Sequence, residues 1–541
     1  MKKDIRFYIF GLVIGCLMGS SLLGLSLFAL KNKDRIKPAL KSLLGKHFKI
    51  EPKQSLAEEH NQKKETGKAE TGEISISVDP SVEIERVNPL LYGTNLAPQM
   101  ETEPDIMKFV KSTGITCLRF PGGGSPGYHW KAGTFDFEQR YANVPLRKVD
   151  HLIEFCKRTN TKLIMQVNIE SGTAQEAAEL VDYLNNKANF RVDYWELGNE
   201  VYGDWDKGYM SAEQYSDKVK EFTAQMKKVD PTIKIGVDWA TESNEAFNKT
   251  LLQNAGELID FISVHWYPNH INASHKVDGR THPTPYEVMA GYLKIPEIVS
   301  NAKELISKYV SNRKGKIEIT FLEWDGAWDA PSSDPPPYTQ GVAQWSLANA
   351  IFYADCLGKF AQQGVTISAH YTLQAIGYGL IRGWDKEAGW GGQRWDGEII
   401  RPKAFAIQLY AQHFGDILVK SQVTGSPIYY KERNWWSGDY HGNVPFISCY
   451  ASKFSDKKRV VLVLINKHEK NDYKVKVIMQ SMEPNPQGKL FILTGLELTS
   501  QNDGNPKAVQ IKELSIENIR KEFIYKIPAH SVNFLEIDYN E

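Results

Sequence analysis

The sequence predicts an α/β fold: a (β/α)8 TIM barrel followed by a carboxyl-terminal β-sandwich and preceded by an amino-terminal membrane-anchor segment. Three observations carry this. Between residues 91 and 415, short β-branched runs alternate eight times with longer amphipathic stretches, as a barrel of strand–helix units requires. Beyond residue 415 helical periodicity gives way to short alternating runs separated by turns, the pattern of a sandwich. Ahead of both, Phe7 to Leu30 is an almost uncharged apolar run long enough to cross a bilayer core.

At the amino terminus, Lys2, Lys3 and Arg6 precede the apolar run. Val13-Ile14-Gly15-Cys16 looks like a lipoprotein cleavage box, yet the run continues well past Cys16 and no small-x-small site stands near Leu30. An uncleaved signal anchor over residues 1–37 is therefore preferred to a removed signal peptide. Lys31, Lys33, Arg35, Lys37 and Lys41 would favour a cytoplasmic side for the chain beyond the span. Long domains translocate despite such charge, and an extracytoplasmic catalytic domain is expected, with a secreted form as the alternative. Residues 38–72 are rich in Lys, Glu and Gln and read as a polar linker.

The barrel is assigned to residues 91–415. Its strands are expected in LYGTN from Leu91, TCLRF from Thr116, KLIMQVNI from Lys162, YWELGNE from Tyr194, KIGVDWA from Lys234, FISVHWY from Phe261, IEITFLEW from Ile317 and TISAHYTLQ from Thr366. Amphipathic stretches such as Val149–Thr159, Ala174–Lys187, Ala212–Val229 and Val342–Gln363 lie between them, with a last helix over Pro402–Phe414. Residues 416–541 form the sandwich, to which residues 73–90 add a strand.

Composition narrows the chemistry. The 541 residues carry 65 basic and 65 acidic side chains, and this zero net charge argues against a nucleic-acid or other polyanion partner. The 13 Trp and 25 Tyr suit the apolar faces of sugars as well as a core. Five scattered cysteines without a CxxC pair offer neither a disulfide framework nor a zinc site.

Barrel enzymes place their chemistry at the carboxyl ends of strands. Glu200 closes the fourth strand-like run and Glu323 lies near the end of the seventh, so both reach one face. Two carboxylates held across a sugar can break a glycosidic bond, one protonating the leaving oxygen while the other attacks the anomeric carbon. Asn95, Arg119, Asn168, Asp238, His265, Tyr267 and Gln374 also fall at strand ends. Glu196 and Glu318 are expected to face elsewhere or lie deeper and are left out. Trp130 and Trp266 are the candidate sugar platforms.

Asn199-Glu200 together with Leu322-Glu323-Trp324 resembles the clan of retaining glycoside hydrolases whose acid/base and nucleophile end strands four and seven. Leu91-Tyr92-Gly93, Arg119-Phe120-Pro121-Gly122-Gly123, Tyr128-His129-Trp130 and Ser263-Val264-His265-Trp266-Tyr267 are most similar to the α-L-arabinofuranosidases of glycoside hydrolase family fifty-one. The resemblance spans residues 75–541 and implies Glu200 as acid/base, Glu323 as nucleophile and Asn199 as donor to the sugar 2-hydroxyl. Arg119 and Tyr267 would orient Glu323 and favour its ionised form. No metal or organic cofactor is implied. Two departures stand out: Ala97 where the family usually has Glu, and Gly124 where it usually has Asn. Other pentosides, an internal β-glycan bond, transglycosylation and a non-catalytic glycan-binding role stay open as alternatives.

Overall fold

A computed structural model of the chain describes residues 73–97, 104–123, 127–136, 148–204, 208–241, 245–269, 282–328, 342–375, 377–383, 395–432, 440–503 and 505–540. The expected anchor segment and expected polar linker, and Gly124, lie outside these residues. Among the described residues no helix is long and apolar enough to cross a membrane.

All eight expected strands form: β1 (Gly93–Asn95), β2 (Cys117–Phe120), β3 (Lys162–Val167), β4 (Tyr194–Leu197), β5 (Lys234–Trp239), β6 (Phe261–Trp266), β7 (Glu318–Trp324) and β8 (Ile367–His370). They pair in parallel and close into a barrel in chain order. The two-residue period of each strand sorts its side chains between two cores. Cys117, Ile164, Phe261, Leu322, Ile367 and Ala369 meet inside the barrel as a separate apolar layer. Their neighbours Leu118, Met165, Ile262 and Phe321 pack outward in the large core shared with the helices. Gly236 leaves room for this inner layer, since a Cβ there would lie 2.0 Å from the Phe261 ring.

The helices match their apolar stripes. Ala212–Val229 begins with a reciprocal Ser211–Gln214 capping box and buries Tyr215, Val219, Phe222 and Met226 at three- and four-residue spacing. Ala174–Lys187 is α-helical only to Val181 and finishes as a π-helical turn, Asp182–Lys187. The expected single helix Val342–Gln363 is instead two, Val342–Trp345 and Leu347–Gln363. The break has a tertiary cause. Ser346 adopts extended backbone and bridges Gln501, while Leu347 N and Ala348 N donate to the Ser500 and Leu498 carbonyls. A segment from the carboxyl-terminal domain thus satisfies amide donors that a helix start leaves open.

That domain is a nine-stranded sheet. Ile74–Arg86 inserts into it between Ile417–Thr424, antiparallel, and Tyr473–Met479, parallel. The two edge strands, Gln510–Glu517 and Glu522–Ile527, are joined by Asn518 to Lys521 alone, so the sheet curls around one apolar cluster. Arg459–Asn466 is apolar on both faces for a reason: Val460, Leu462 and Leu464 fill that cluster, whereas Val461, Val463 and Ile465 join the barrel's core.

Candidate active site

At the carboxyl ends of the strands the interior layer turns polar. Arg119 on β2 is fully buried and organises it. Its Nε and Nη2 donate to Glu196 at 2.6 and 3.1 Å, Nη1 donates to Asn95 Oδ1 at 3.0 Å and to Glu323 Oε2 at 3.1 Å, and Nη2 donates to Asn199 Oδ1 at 2.9 Å. One guanidinium therefore ties four strands' ends together. Such a planar fork suits carboxylates better than a lysine would.

Glu323 reaches this interior through a β-bulge. Pairing between β7 and β6 runs regularly to Phe321 opposite Val264, then skips Leu322 so that Glu323 stands opposite His265. Leu322 already faces the inner layer, so without the skip Glu323 would point outward with the helices. Tyr267 donates to Glu323 Oε1 at 2.8 Å. Gly123, in the turn after β2, packs so close that a Cβ would lie 1.8 Å from Glu323 Oε2. The second glycine of the Pro-Gly-Gly motif is thus demanded by the carboxylate beside it.

Glu200 does not end β4 as expected; the strand stops at Leu197 and Glu200 sits in the turn beyond it with φ of 50°. A left-handed non-glycine residue costs on the order of 1–3 kcal/mol and is tolerated where the surroundings enforce it. Gly198 (φ 89°) starts the turn, and Val201 N, donating to Asp238 Oδ2 at 3.2 Å, closes it. Glu200 Oε1 meets His265 Nδ1 at 2.8 Å, and that same nitrogen is 3.8 Å from Glu323 Oε2. Asn199 presents its Oδ1 to Arg119 and to Gln166 Nε2 (3.1 Å), so these two bonds leave its Nδ2 donors for other use.

The electrostatics arise from four carboxyl groups around two cations. Burial raises Glu196, yet the charge and hydrogen bonds of Arg119 and His265 outweigh it and leave the carboxyl at about 2. Burial works against a charged His265, but Glu323, Glu196 and Glu200 together hold its pKa at about 10. Asp238 goes the other way: burial and the neighbouring Glu196 push it well above the carboxylate range, and its Oδ1 has no hydrogen-bond partner. Glu323 is also raised, first by burial and further by Glu200, against the pull of His265, Arg119 and Tyr267. Arg119 and Tyr267 bond Glu323 and favour its ionised form as expected, but burial and Glu200 outweigh them and the net shift is upward.

The remaining expected residues divide. Gln374 is fully buried just beyond β8, its backbone bridging Ile381. Trp266 is no platform: it succeeds His265 on β6 and so faces outward, 2% exposed against Phe321 and Phe352. Trp130 is half-buried, tilted on Tyr183 with its Nε1 donating to the Glu176 carbonyl, contacts on outer helical residues rather than on the carboxylates. Asn168 bonds Ser171 in a local turn. Glu196, set aside from the sequence, is the deepest acid of the cluster; its strand parity, opposite to that of the outward apolar Trp195 and Leu197, was the available signal. Gln166 was missed, as were Tyr371 and Tyr378, whose rings stand 5.2 Å apart beside Tyr267. Glu196, Asp238 and His265, and likewise Glu200, His265 and Glu323, bring three donor atoms within 4.8 Å of one another. A cation held by either trio would share carboxylates with Arg119.

No protein-family model matches the chain. It is 27% identical over 360 residues to a probable α-L-arabinofuranosidase C of Aspergillus flavus, covering 56% of this chain and 69% of the relative. It is 23% identical over 484 residues to an exo-α-(1→6)-L-arabinofuranosidase of Bifidobacterium longum, covering 77% and 88%. Its fold is similar to the GH51 α-L-arabinofuranosidase of Thermotoga petrophila (TM-score 0.71, 24% identity) and to the arabinose complex of the Thermotoga maritima enzyme (TM-score 0.70, 24% identity), each alignment covering 86% of this chain and all of the other. With the closed barrel and the paired carboxylates at its mouth, the chain is a (β/α)8 glycosyl hydrolase, similar in sequence to α-L-arabinofuranosidases and in fold to GH51 enzymes.

Proposed function

We propose that this glycosidase cleaves terminal α-L-arabinofuranosides with retention, through a glycosyl-enzyme ester. The observation that carries the mechanism is the spacing of the acids: an oxygen of Glu200 and an oxygen of Glu323 lie within 4.8 Å of each other. Retaining pairs stand about 5–5.5 Å apart, whereas inverting pairs need roughly 6.5–9.5 Å to admit a water. In the first step a Glu323 oxygen bonds the anomeric carbon as its bond to the leaving oxygen breaks, and Glu200 supplies the proton. The Glu200–His265 hydrogen bond gives that proton a second place to rest. In the second step Glu200 takes a proton from water, the water oxygen bonds the anomeric carbon, and the ester bond to Glu323 breaks. Arg119 and Tyr267 take up the negative charge that returns to Glu323, and Asn199 Nδ2 is placed to donate to the 2-hydroxyl. No step needs a metal or an organic cofactor.

Ala97, buried at the end of β1, supports a second reading, in which another pentoside or an internal β-glycan bond is the substrate. A panel of aryl glycosides (α-L-arabinofuranoside, β-xyloside, β-glucoside, β-galactoside and β-glucuronide) assayed with the full chain and its Glu323→Ala variant decides between them. Release from the arabinofuranoside alone supports the first reading. Release only from another glycoside, or only from polymers, supports the second. Product NMR showing inversion at the anomeric carbon would overturn the ester mechanism.

We further propose the partition into residues 1–37 as anchor, 38–72 as linker, 73–90 as the strand joining the sheet domain, 91–415 as barrel and 416–541 as a two-layered sandwich. The apolar run from Phe7 to Leu30 supports attachment to a membrane with the barrel outside the cytoplasm. Loss of the chain from membranes on carbonate washing would refute that attachment.

A further inference from the structure

The loop after β8 is held by two buried cations at the start of the last barrel helix, Pro402–His413. Arg401 Nη1 donates to the carbonyls of Ala375 (3.2 Å), Gly377 (2.6 Å) and Gly379 (3.3 Å). Lys403 Nζ donates to the Tyr378 carbonyl at 2.7 Å and to Asp325 Oδ2 at 2.5 Å. Arg401 is in turn anchored by Asp503, whose Oδ1 accepts from Nη2 at 3.0 Å and whose Oδ2 accepts from Nε at 3.2 Å; both side chains are fully buried. Trp345 completes the seat, its ring 4.8 Å from the guanidinium carbon and its Nε1 donating to the Gly377 carbonyl at 2.5 Å. Asp503 does not belong to the barrel. It lies in the connection between Glu483–Thr494 and Gln510–Glu517 of the sheet domain.

The clamped loop carries groups that stand next to the candidate nucleophile. The Tyr378 ring packs edge-on against Tyr267, with centroids 6.1 Å apart, and Tyr267 donates to Glu323. Tyr378 also packs on Tyr371, whose hydroxyl donates at 3.0 Å to the carbonyl of Gly123, the glycine that touches Glu323. Both walls of the Glu323 carboxylate thus rest on one loop, and the loop's carbonyls rest on a cation whose counter-charge comes from the other domain.

We propose that Asp503 is a positioning residue for the glycosidase reaction: through Arg401 it fixes the loop bearing Tyr371 and Tyr378 and so sets the geometry of Glu323. The sheet domain then takes part in turnover without touching substrate. This rests on the assignment of Glu323 as nucleophile. With the loop loosened, Tyr267 donates less well to Glu323. A carboxylate that loses a donor titrates at higher pH. A small misplacement of a reacting group far from the mutated site costs up to about a hundredfold in rate.

The test compares the full chain with Asp503→Asn, Asp503→Ala and Arg401→Lys. In each variant kcat on an activated aryl glycoside is expected to fall by about tenfold or more, with KM changed by less than about threefold. The acidic limb of the kcat/KM profile should move to higher pH. Amide exchange at Thr372, Leu373 and Leu380 should speed up while that of β4 and β5 does not. Asp503→Asn, which keeps shape and packing, guards against mere misfolding of the alanine variant. Lower melting temperature with unchanged kcat and pH profile, or unchanged exchange in the loop, overturns the proposal. A wild-type chain that releases no sugar from any glycoside refutes the glycosidase assignment itself, and the exchange result is read separately from it.

Discussion

The two ends of the barrel interior carry the same kinds of residue and use them differently. At the amino ends of the strands Lys234, Glu318 and Tyr194 form a compact triad, with Lys234 bonded to both partners and Tyr194 donating to Glu318 Oε2 at 3.0 Å. One cation faces one carboxylate, and the side chains are 40% and 22% exposed. At the carboxyl ends Arg119 and His265 face Glu196, Asp238, Glu323 and Glu200, nearly all of it buried. The first end is balanced and wet. The second is over-supplied with acid and dry, so its carboxyl groups are driven apart, Glu196 down and Asp238 and Glu323 up. A balanced pair serves the fold; a crowded one holds proton-transfer and nucleophilic groups in reserve at a cost in stability.

Removing Glu323 should separate these roles most sharply. Glu323→Ala is expected to lower kcat by about ten-thousand-fold or more, the scale of losing a covalent nucleophile. It also removes one acid from the crowded end, so the melting temperature should hold or rise. Residual turnover within about tenfold of wild type would exclude Glu323 as the nucleophile.

Arg119 is the counterweight. Arg119→Met leaves Glu196 buried without its partner and should destabilise the fold by about 3–5 kcal/mol in denaturant titrations. A loss below about 1 kcal/mol would mean that the acids rearrange or protonate at little cost. For Glu200 the contrast is between substrates. Glu200→Ala should slow a poor leaving group by roughly a hundred- to ten-thousand-fold, yet spare glycosylation from a very activated one, which needs no protonation. Equal loss with both would remove the acid role.

The eight strands and the face carrying Glu200 and Glu323 were legible because alternating apolar runs and the carboxyl-end rule are local patterns. Pleat parity was legible too and would have placed Trp266 outside, since it is the neighbour of the inward His265. The same parity would have brought Glu196 inside. The bulge that turns Glu323 inward was not legible, because nothing in Phe321-Leu322-Glu323 marks the skipped residue. Nor was the helix break at Ser346, or the hold of Asp503 on Arg401. Both depend on a segment more than a hundred residues away in the chain.

Charge at the crowded end also gives a pH signature. The pKa of His265 is raised from 6.5 to about 10, so its stabilising contribution is fully present below pH 6.5 and is lost as pH rises through about 10. That of Glu196 is depressed to about 2, so its contribution is present above the ordinary glutamate value and is lost as pH falls through about 2. His265→Gln should therefore melt well below wild type at pH 6, with the gap closing toward pH 10. A gap that stays constant over that span would show that the imidazole is neutral throughout. Glu323, raised, should lose its catalytic charge on acidification at a pH above the ordinary glutamate value, which the acidic limb of kcat/KM reports.

The smallest effect belongs at the balanced end. Glu318→Gln breaks a partly exposed ion pair while keeping an acceptor for Tyr194 and Lys234, and such pairs are worth about 0.2–1 kcal/mol. Both ends lie on the same strand, β7, five residues apart, so a shared backbone would transmit any strain between them. If the ends are independent, Glu318→Gln leaves kcat, KM and the pH limbs unchanged, and its stability loss adds to that of Arg119→Met within about 0.5 kcal/mol. A non-additive double variant, or a shifted acidic limb in Glu318→Gln alone, would show that the lower triad also sets the geometry of Glu323. The division of the interior into a structural and a chemical end would then be wrong.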